Sequence, residues 1–171
     1  MTMELVYTPT CEDCADAVRV QMRHGSFKWL RRVLPVATVL AGLVVLLELF
    51  GPGEETDLGF VVLMAGLGLL TALLPWLTVR LSARQVYGLV GRQGEFRARV
   101  DEDGVRWTTR DSEVASRWQM IPRYAETATQ FVLLSADKAG VGVAALPKRG
   151  FADPGDVDRL RELLDRTITR L

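Results

Sequence analysis

The chain has 171 residues, with 21 basic and 21 acidic side chains, one histidine and two cysteines. Zero net charge leaves no overall field to draw nucleic acid, and a lone histidine, His24, excludes a histidine-dependent triad within a soluble domain. The length suits a membrane hairpin plus one small soluble domain, and the heavy excess of Arg over Lys is typical of GC-rich bacterial genomes.

Glu4 to Thr8 alternates and predicts a short strand. Pro9 stops it, and Thr10 can cap a helix starting near Cys11, in which Ala15, Val18 and Met22 recur at helical spacing. Cys11 and Cys14 form a Cys-x-x-Cys at that helix start, a spacing that can lower a thiol pKa or hold a metal. No second cysteine pair supports it, so the bland alternative is two small side chains with no chemistry. Cys11 and Cys14 are the only redox or metal candidates, and no cofactor is expected.

Two apolar runs follow, Val33 to Phe50 and Leu58 to Val79, with Glu48 as their single ionisable side chain. At ~1.5 Å per helical residue they reach roughly 27 and 33 Å, against a bilayer core of about 30 Å. Lipid offers the backbone no hydrogen bonds, so both are expected to be transmembrane helices. The loop between them carries acid and no Lys or Arg. Basic residues flank the hairpin on its other side: Lys28, Arg31 and Arg32 before it, Arg80 and Arg84 after it. The positive-inside rule then puts both termini in the cytoplasm, with Trp29 and Trp76 at the inner interface and Glu48 near the outer end. Ala37 and Ala41, and Gly68 and Ala72, are small-xxx-small patterns that let the two helices approach. Pro35 falls in a first helical turn, while Pro75 is expected to kink or loosen the second helix. The late start of the first run, after acidic residues, excludes a signal peptide.

Gly88, Gly91 and Gly94 mark a boundary, after which the period changes to two. Strands are expected at Phe96–Val100, Val105–Thr109, Glu113–Trp118, around Arg123–Glu126, at Gln130–Ser135 and at Val141–Leu146. Gly104 is expected to supply a positive φ in the Glu102-Asp103-Gly104 turn. Asp101 and Asp103 read as turn residues. Asp153 and Pro154 open a last helix, where Val157, Leu160, Leu164, Ile168 and Leu171 make one apolar stripe. Trp107, Trp118 and Phe151 are expected in the core. The organisation is therefore 1–32 (strand and juxtamembrane helix), 33–79 (hairpin), 80–94 (juxtamembrane helix and linker) and 95–171 (cytoplasmic β domain with capping helix). Gly140 to Ala145 matches a dinucleotide loop only superficially, since it leads to Pro147 and opens no helix. No Gly-x-Ser-x-Gly or P-loop is present.

The hairpin, the Asp103-Gly104 turn, Trp118-Gln119-Met120-Ile121 and Leu146-Pro147-Lys148-Arg149-Gly150-Phe151 before a capped helix occur in a specific order. In that order the chain resembles the YcxB-like family of bacterial membrane proteins over nearly its whole length. Gly150, where alanine is more usual, and the cysteines are departures. The resemblance implies two membrane helices and a C-terminal domain similar to pleckstrin-homology-like barrels, and supplies no catalytic residues. The fold expected is α+β: a transmembrane hairpin plus a small antiparallel barrel with a C-terminal helix.

The expected function is a non-enzymatic binding or scaffold module tethered to the bacterial inner (plasma) membrane. Its partners would be the bilayer and a protein or second copy of the chain, not nucleic acid. Lys28, Arg31, Arg32, Arg80 and Arg84 are candidate contacts to anionic lipid, joined by Lys148 and Arg149 if the β domain folds back toward the bilayer. The alternatives are a redox- or metal-responsive regulator using Cys11 and Cys14, and an accessory subunit of a transport complex.

Overall fold

The computed structural model describes residues 2–24, 30–51, 57–136 and 143–171, with no account of the side chains of Leu30 and Arg31. The chain is α+β. Its elements are β1 (Met3–Tyr7), α1 (Cys11–His24), α2 (Leu30–Phe50), α3 (Leu58–Val90), β2 (Phe96–Val100), β3 (Gly104–Thr108), β4 (Glu113–Arg117), β5 (Arg123–Glu126), β6 (Gln130–Leu134), β7 (Val143–Pro147), α4 (Gly155–Thr167) and β8 (Thr169–Arg170). They form two compact units, one of Phe27–Arg80, the other of Met1–Ser26 with Leu81–Leu171.

In the first unit α2 and α3 are long and apolar enough to cross a membrane by length and composition. Core helices of soluble proteins meet the same test but are mostly buried. Here only 11% and 6% of the two apolar windows are buried. The helices meet through small side chains. A Cβ on Gly68 would lie 3.4 Å from Cβ of Ala41, and the hydroxyls of Thr38 and Thr71 are 2.9 Å apart. One of the two hydroxyls donates across the pair, while the other donates back to its own helix, where Leu34 O lies within reach of Thr38 and Leu67 O and Gly68 O within reach of Thr71. Asp57 caps α3 by accepting from Gly59 N and Phe60 N, and Glu48 accepts from Asp57 N at 3.3 Å. Arg80 lies over the Trp76 ring at 4.4 Å, one turn away. Pro75 stands inside α3, which stays helical through it. Of the expected features, Lys28, Trp29 and loop residues 52–56 lie outside the described residues.

The second unit holds two four-stranded sheets, in the orders β1-β2-β3-β4 and β7-β6-β5-β8. The strand expected at the N-terminus is the edge strand of the first sheet, with Met3 opposite Val100 and Tyr7 opposite Phe96. Inward-facing Leu5, Ala98, Val100, Val105 and Trp107 meet Tyr124, Phe131, Leu133 and Leu146 of the second sheet, and Leu160, Leu163 and Leu164 of α4 close the core. Trp107 and Trp118 are buried and Phe151 packs against the same cluster. β6 is buried on both faces, because Val132 and Leu134 meet Ala17 and Val20 of α1 on the far side.

The expected barrel does not close. Where β4 would have to pair with β5, the β5 edge is already taken by β8, the one parallel pairing among the described strands. Elsewhere an isolated bridge, Leu5 to Phe151, joins the first sheet to the segment that follows β7. β8 also shortens the final helix: α4 ends at Thr167, and Ile168 is extended (φ −135°, ψ 165°), so the apolar stripe does not run on to Leu171 as helix. The Asp153 carboxylate accepts from Gly155 N at 2.9 Å, the capping role expected of it.

Gly104 also differs from expectation. The only positive φ among the described residues belongs to Gly94, at 76°, where the chain leaves the turn after α3. Gly104 is the first residue of β3, opposite Arg117, and a Cβ there would lie 2.2 Å from Ser116 O. Glycine is needed for close approach of backbone, and the turn itself is held by Asp101, whose Oδ1 accepts from Asp103 N and Gly104 N.

Candidate functional site

Because the two sheets do not close, an apolar cleft of about 450 Å³ remains within the second unit. Trp107 and Val114, a cross-strand pair, face it from the first sheet; Leu133 and Ala144 face it from the second. Phe96 stacks on Tyr7, ring centroids 5.7 Å apart, and the Tyr7 hydroxyl donates to Ala145 O at 2.9 Å, tying the sheets together beside it. Val86 and Val90, in the last turns of α3, complete the wall. Val114 and Met120 are more than half exposed at its mouth. A second, more polar groove of about 870 Å³ is lined by Glu102, Arg117, Gln119 and Arg166.

Asp13 is the one charged residue among the described residues of the cleft wall. It sits at the third position of α1 and forms a capping box: Thr10 Oγ1 accepts from Asp13 N at 3.2 Å, while Asp13 Oδ2 accepts from Thr10 N and Thr10 Oγ1 at 2.8 Å each. Arg149 then grips both oxygens, Nη1 to Oδ1 at 2.7 Å and Nη2 to Oδ2 at 2.5 Å, and Nη2 also donates to Thr8 O. Burial would raise the Asp13 carboxyl, but Arg149 and the Thr10 donors together hold it below the ordinary value. Beneath the same helix Gln130, fully buried, donates Nε2 to Asp13 O at 2.9 Å, and its Oε1 has no hydrogen-bond partner among the described residues.

Glu126, at the end of β5, is the other charge centre. It accepts from Lys148 at 2.7 Å, from Arg161 at 2.9 and 2.7 Å, and from Arg170 at 3.0 Å. The Arg161 bonds, against partial desolvation and aided by Lys148, lower its pKa to about 2. Nearby, burial followed by the Asp165 carboxylate raises Tyr124 to about 12, its hydroxyl donating to Asp165.

The predicted site residues are thus scattered. Cys11 is exposed and Cys14 is buried against the cleft. Burial, then the Asp13 charge, pushes the Cys14 thiol up, opposite to what a reactive thiolate or metal ligand needs. Among the described residues no group of three or more His, Cys, Asp or Glu is placed to hold a metal. Arg32, Arg80 and Arg84 are exposed on α2 and α3; Lys28 and the Arg31 side chain lie outside the description. Lys148 and Arg149 are engaged with Glu126 and Asp13. The Thr10-x-x-Asp13 box was readable in the sequence. The partnership of Asp13 with Arg149, and the role of Glu126, left no local signal.

Two exposed apolar helices of membrane-crossing length and a β unit of two sheets with a terminal helix define a class: chains that join an apolar helical hairpin to a small β unit. Within it, residues 100–164 match the family model described as YcxB-like protein, which bears out the resemblance read from Trp118 to Ile121 and from Leu146 to Phe151. The match runs from the end of β2 to near the end of α4. No curated protein and no solved structure matches the chain.

Proposed function

We propose that the chain is a non-enzymatic binding module anchored in a bacterial inner membrane by two crossings, with both termini in the cytoplasm. The observation that carries this reading is the exposure of α2 and α3: leaving so many Leu, Val and Phe side chains in water would cost roughly 25 cal/mol per Å², while lipid removes the cost. The basic flanks, with Arg32, Arg80 and Arg84 exposed, support cytoplasmic termini and contact with anionic headgroups. The strand count and terminal helix support a relationship to pleckstrin-homology-like domains in an unclosed form. The surfaces of the β unit are what such an anchor would present to a lipid or protein partner.

Cys11 is a native reporter of orientation. Membranes carrying the chain should retain it through carbonate extraction, and in intact spheroplasts a membrane-impermeant maleimide should label a Leu58→Cys variant, at an exposed position, while sparing Cys11 until the membrane is opened. Recovery in the carbonate supernatant would refute the anchor; labelling of Cys11 from outside would refute the orientation.

A further inference from the structure

We propose that the cleft between the two sheets holds a single acyl chain. The inference rests on the anchored reading above and names the ligand class of the module. Its volume, about 450 Å³, falls within the roughly 300–1,000 Å³ of small-molecule sites. Its wall offers apolar recognition. The aromatic rings of Phe96 and Trp107 and the aliphatic groups of Val86, Val90 and Leu133 line it, and the charge of Asp13 is already matched by Arg149 and Thr10. Among the described residues of the wall, no other charged side chain is offered to a polar or ionic ligand.

Two further observations point to lipid as the source of the apolar occupant. First, α3 has 33 residues, so at ~1.5 Å each it is about 50 Å long, more than a bilayer core of about 30 Å needs. Its last stretch, Leu81–Val90, about 15 Å long, is surplus to a crossing and carries Val86 and Val90 on the cleft wall. Second, exposed apolar side chains continue along that surplus at Leu81, Val86 and Leu89, and reappear at Val114 and Met120 on the mouth. A strand residue that faces inward yet stays exposed, as Val114 does, marks an opening in the core that an apolar chain would fill.

The test uses the full chain in lipid nanodiscs. One arm contains a phospholipid with a diazirine near the end of one acyl chain; the other contains a free fatty acid with the same photogroup. After illumination, adducts are mapped by peptide mass spectrometry. Adducts at residues 107–120 are expected, and the arm that gives them identifies the source as membrane lipid or free fatty acid. Ser116→Trp, which fills the cleft, and Met120→Asp, which charges its exposed mouth, should each reduce these adducts about ten-fold, the effect of losing burial of two methylenes. Met120→Asp alters an exposed side chain, so it remains informative should Ser116→Trp fail to fold. Adducts confined to residues 30–79 in both arms, or adducts at 107–120 unaffected by both substitutions, would overturn the acyl-chain site and leave the anchor intact. Absence of adducts from residues 30–79 as well would overturn the anchor itself.

Discussion

Arg149 and Asp13 form a two-pronged ion pair, Nη1 to Oδ1 at 2.7 Å and Nη2 to Oδ2 at 2.5 Å, between residues 136 positions apart. The pair fastens the start of α1 to the turn after β7. The carboxylate side is buried, 7% exposed, while the guanidinium is 46% exposed. Arg149→Ala therefore strands a buried charge. Full removal of a partner from a buried pair costs about 3–5 kcal/mol, and the exposure of Arg149 reduces the expected loss to roughly 2 kcal/mol. Arg149→Lys should recover only part, because an ammonium cannot bridge both oxygens. Urea unfolding followed by tryptophan fluorescence measures this, and equal stability of all three proteins would contradict it.

Glu126 predicts a specific acid sensitivity. Its folded pKa is lowered from 4.5 to about 2, so the stability it contributes is fully present above the unfolded value and disappears as pH falls from about 4.5 through 2. With the carboxylate 10% exposed, the amount is about 2–3 kcal/mol. Glu126→Gln should be less stable than the parent at pH 7 and should show a flatter stability profile between pH 5 and 2. Parallel profiles would rule out this role.

Gly104→Ala should destabilise the first sheet by roughly 1–3 kcal/mol, the usual cost of forcing extra atoms into a packed site. The atom in the way is backbone, Ser116 O, 2.2 Å from the added Cβ, so relief requires moving β4. Gly94→Ala should also be unfavourable, for the different reason of its φ of 76°. Amide hydrogen exchange should separate them, with faster exchange in β3 and β4 only for Gly104→Ala.

In the helix pair, Thr71→Val removes the 2.9 Å contact with Thr38 and should cost only about 0.6 kcal/mol, the average for hydrogen bonds between membrane helices. Gly68→Leu pushes directly against Ala41 and should cost more. The comparison can be made by the efficiency of disulfide formation between cysteines placed on the facing helices. A larger effect from Thr71→Val than from Gly68→Leu would contradict the packing.

The two native thiols should react very differently. Cys11 is exposed, whereas Cys14 is buried with its pKa raised from 9.0 by desolvation, then by the Asp13 charge. At pH 7.5 maleimide should modify Cys11 alone in the folded chain. A rise in pH should recruit Cys14 only above its ordinary range, and urea should expose it at once. Comparable rates at both positions in the native state would contradict the burial.

Much of the fold was legible in local pattern. β2, β3 and the capping of α4 follow from alternation and from Asp153-Pro154, because those signals lie within a few residues. What could not be read depends on partners far apart in sequence. β8 has two residues, too few for any periodicity, yet by occupying the β5 edge it leaves the sheets unclosed. Lys148 and Arg149 read locally as a basic pair available to lipid; their carboxylate partners lie 22 and 136 residues away. The cleft was illegible for the same reason, since its wall comes from the first strand, the end of α3 and both sheets.

The pairing of β1 with β2 also has a consequence for how the protein is made. Tyr7 and Phe96 are paired in the ladder and precede and follow the helical hairpin in the sequence, so the chain between them must cross any bilayer an even number of times, or the first sheet can never assemble. At about 5–20 residues per second, the ribosome needs several seconds to add the intervening stretch. During that interval β1 and α1 have neither their ladder nor Arg149. The N-terminal segment must wait, unpaired, on the side where it was synthesised, and any error of membrane insertion that leaves one crossing would register as a β unit that cannot fold.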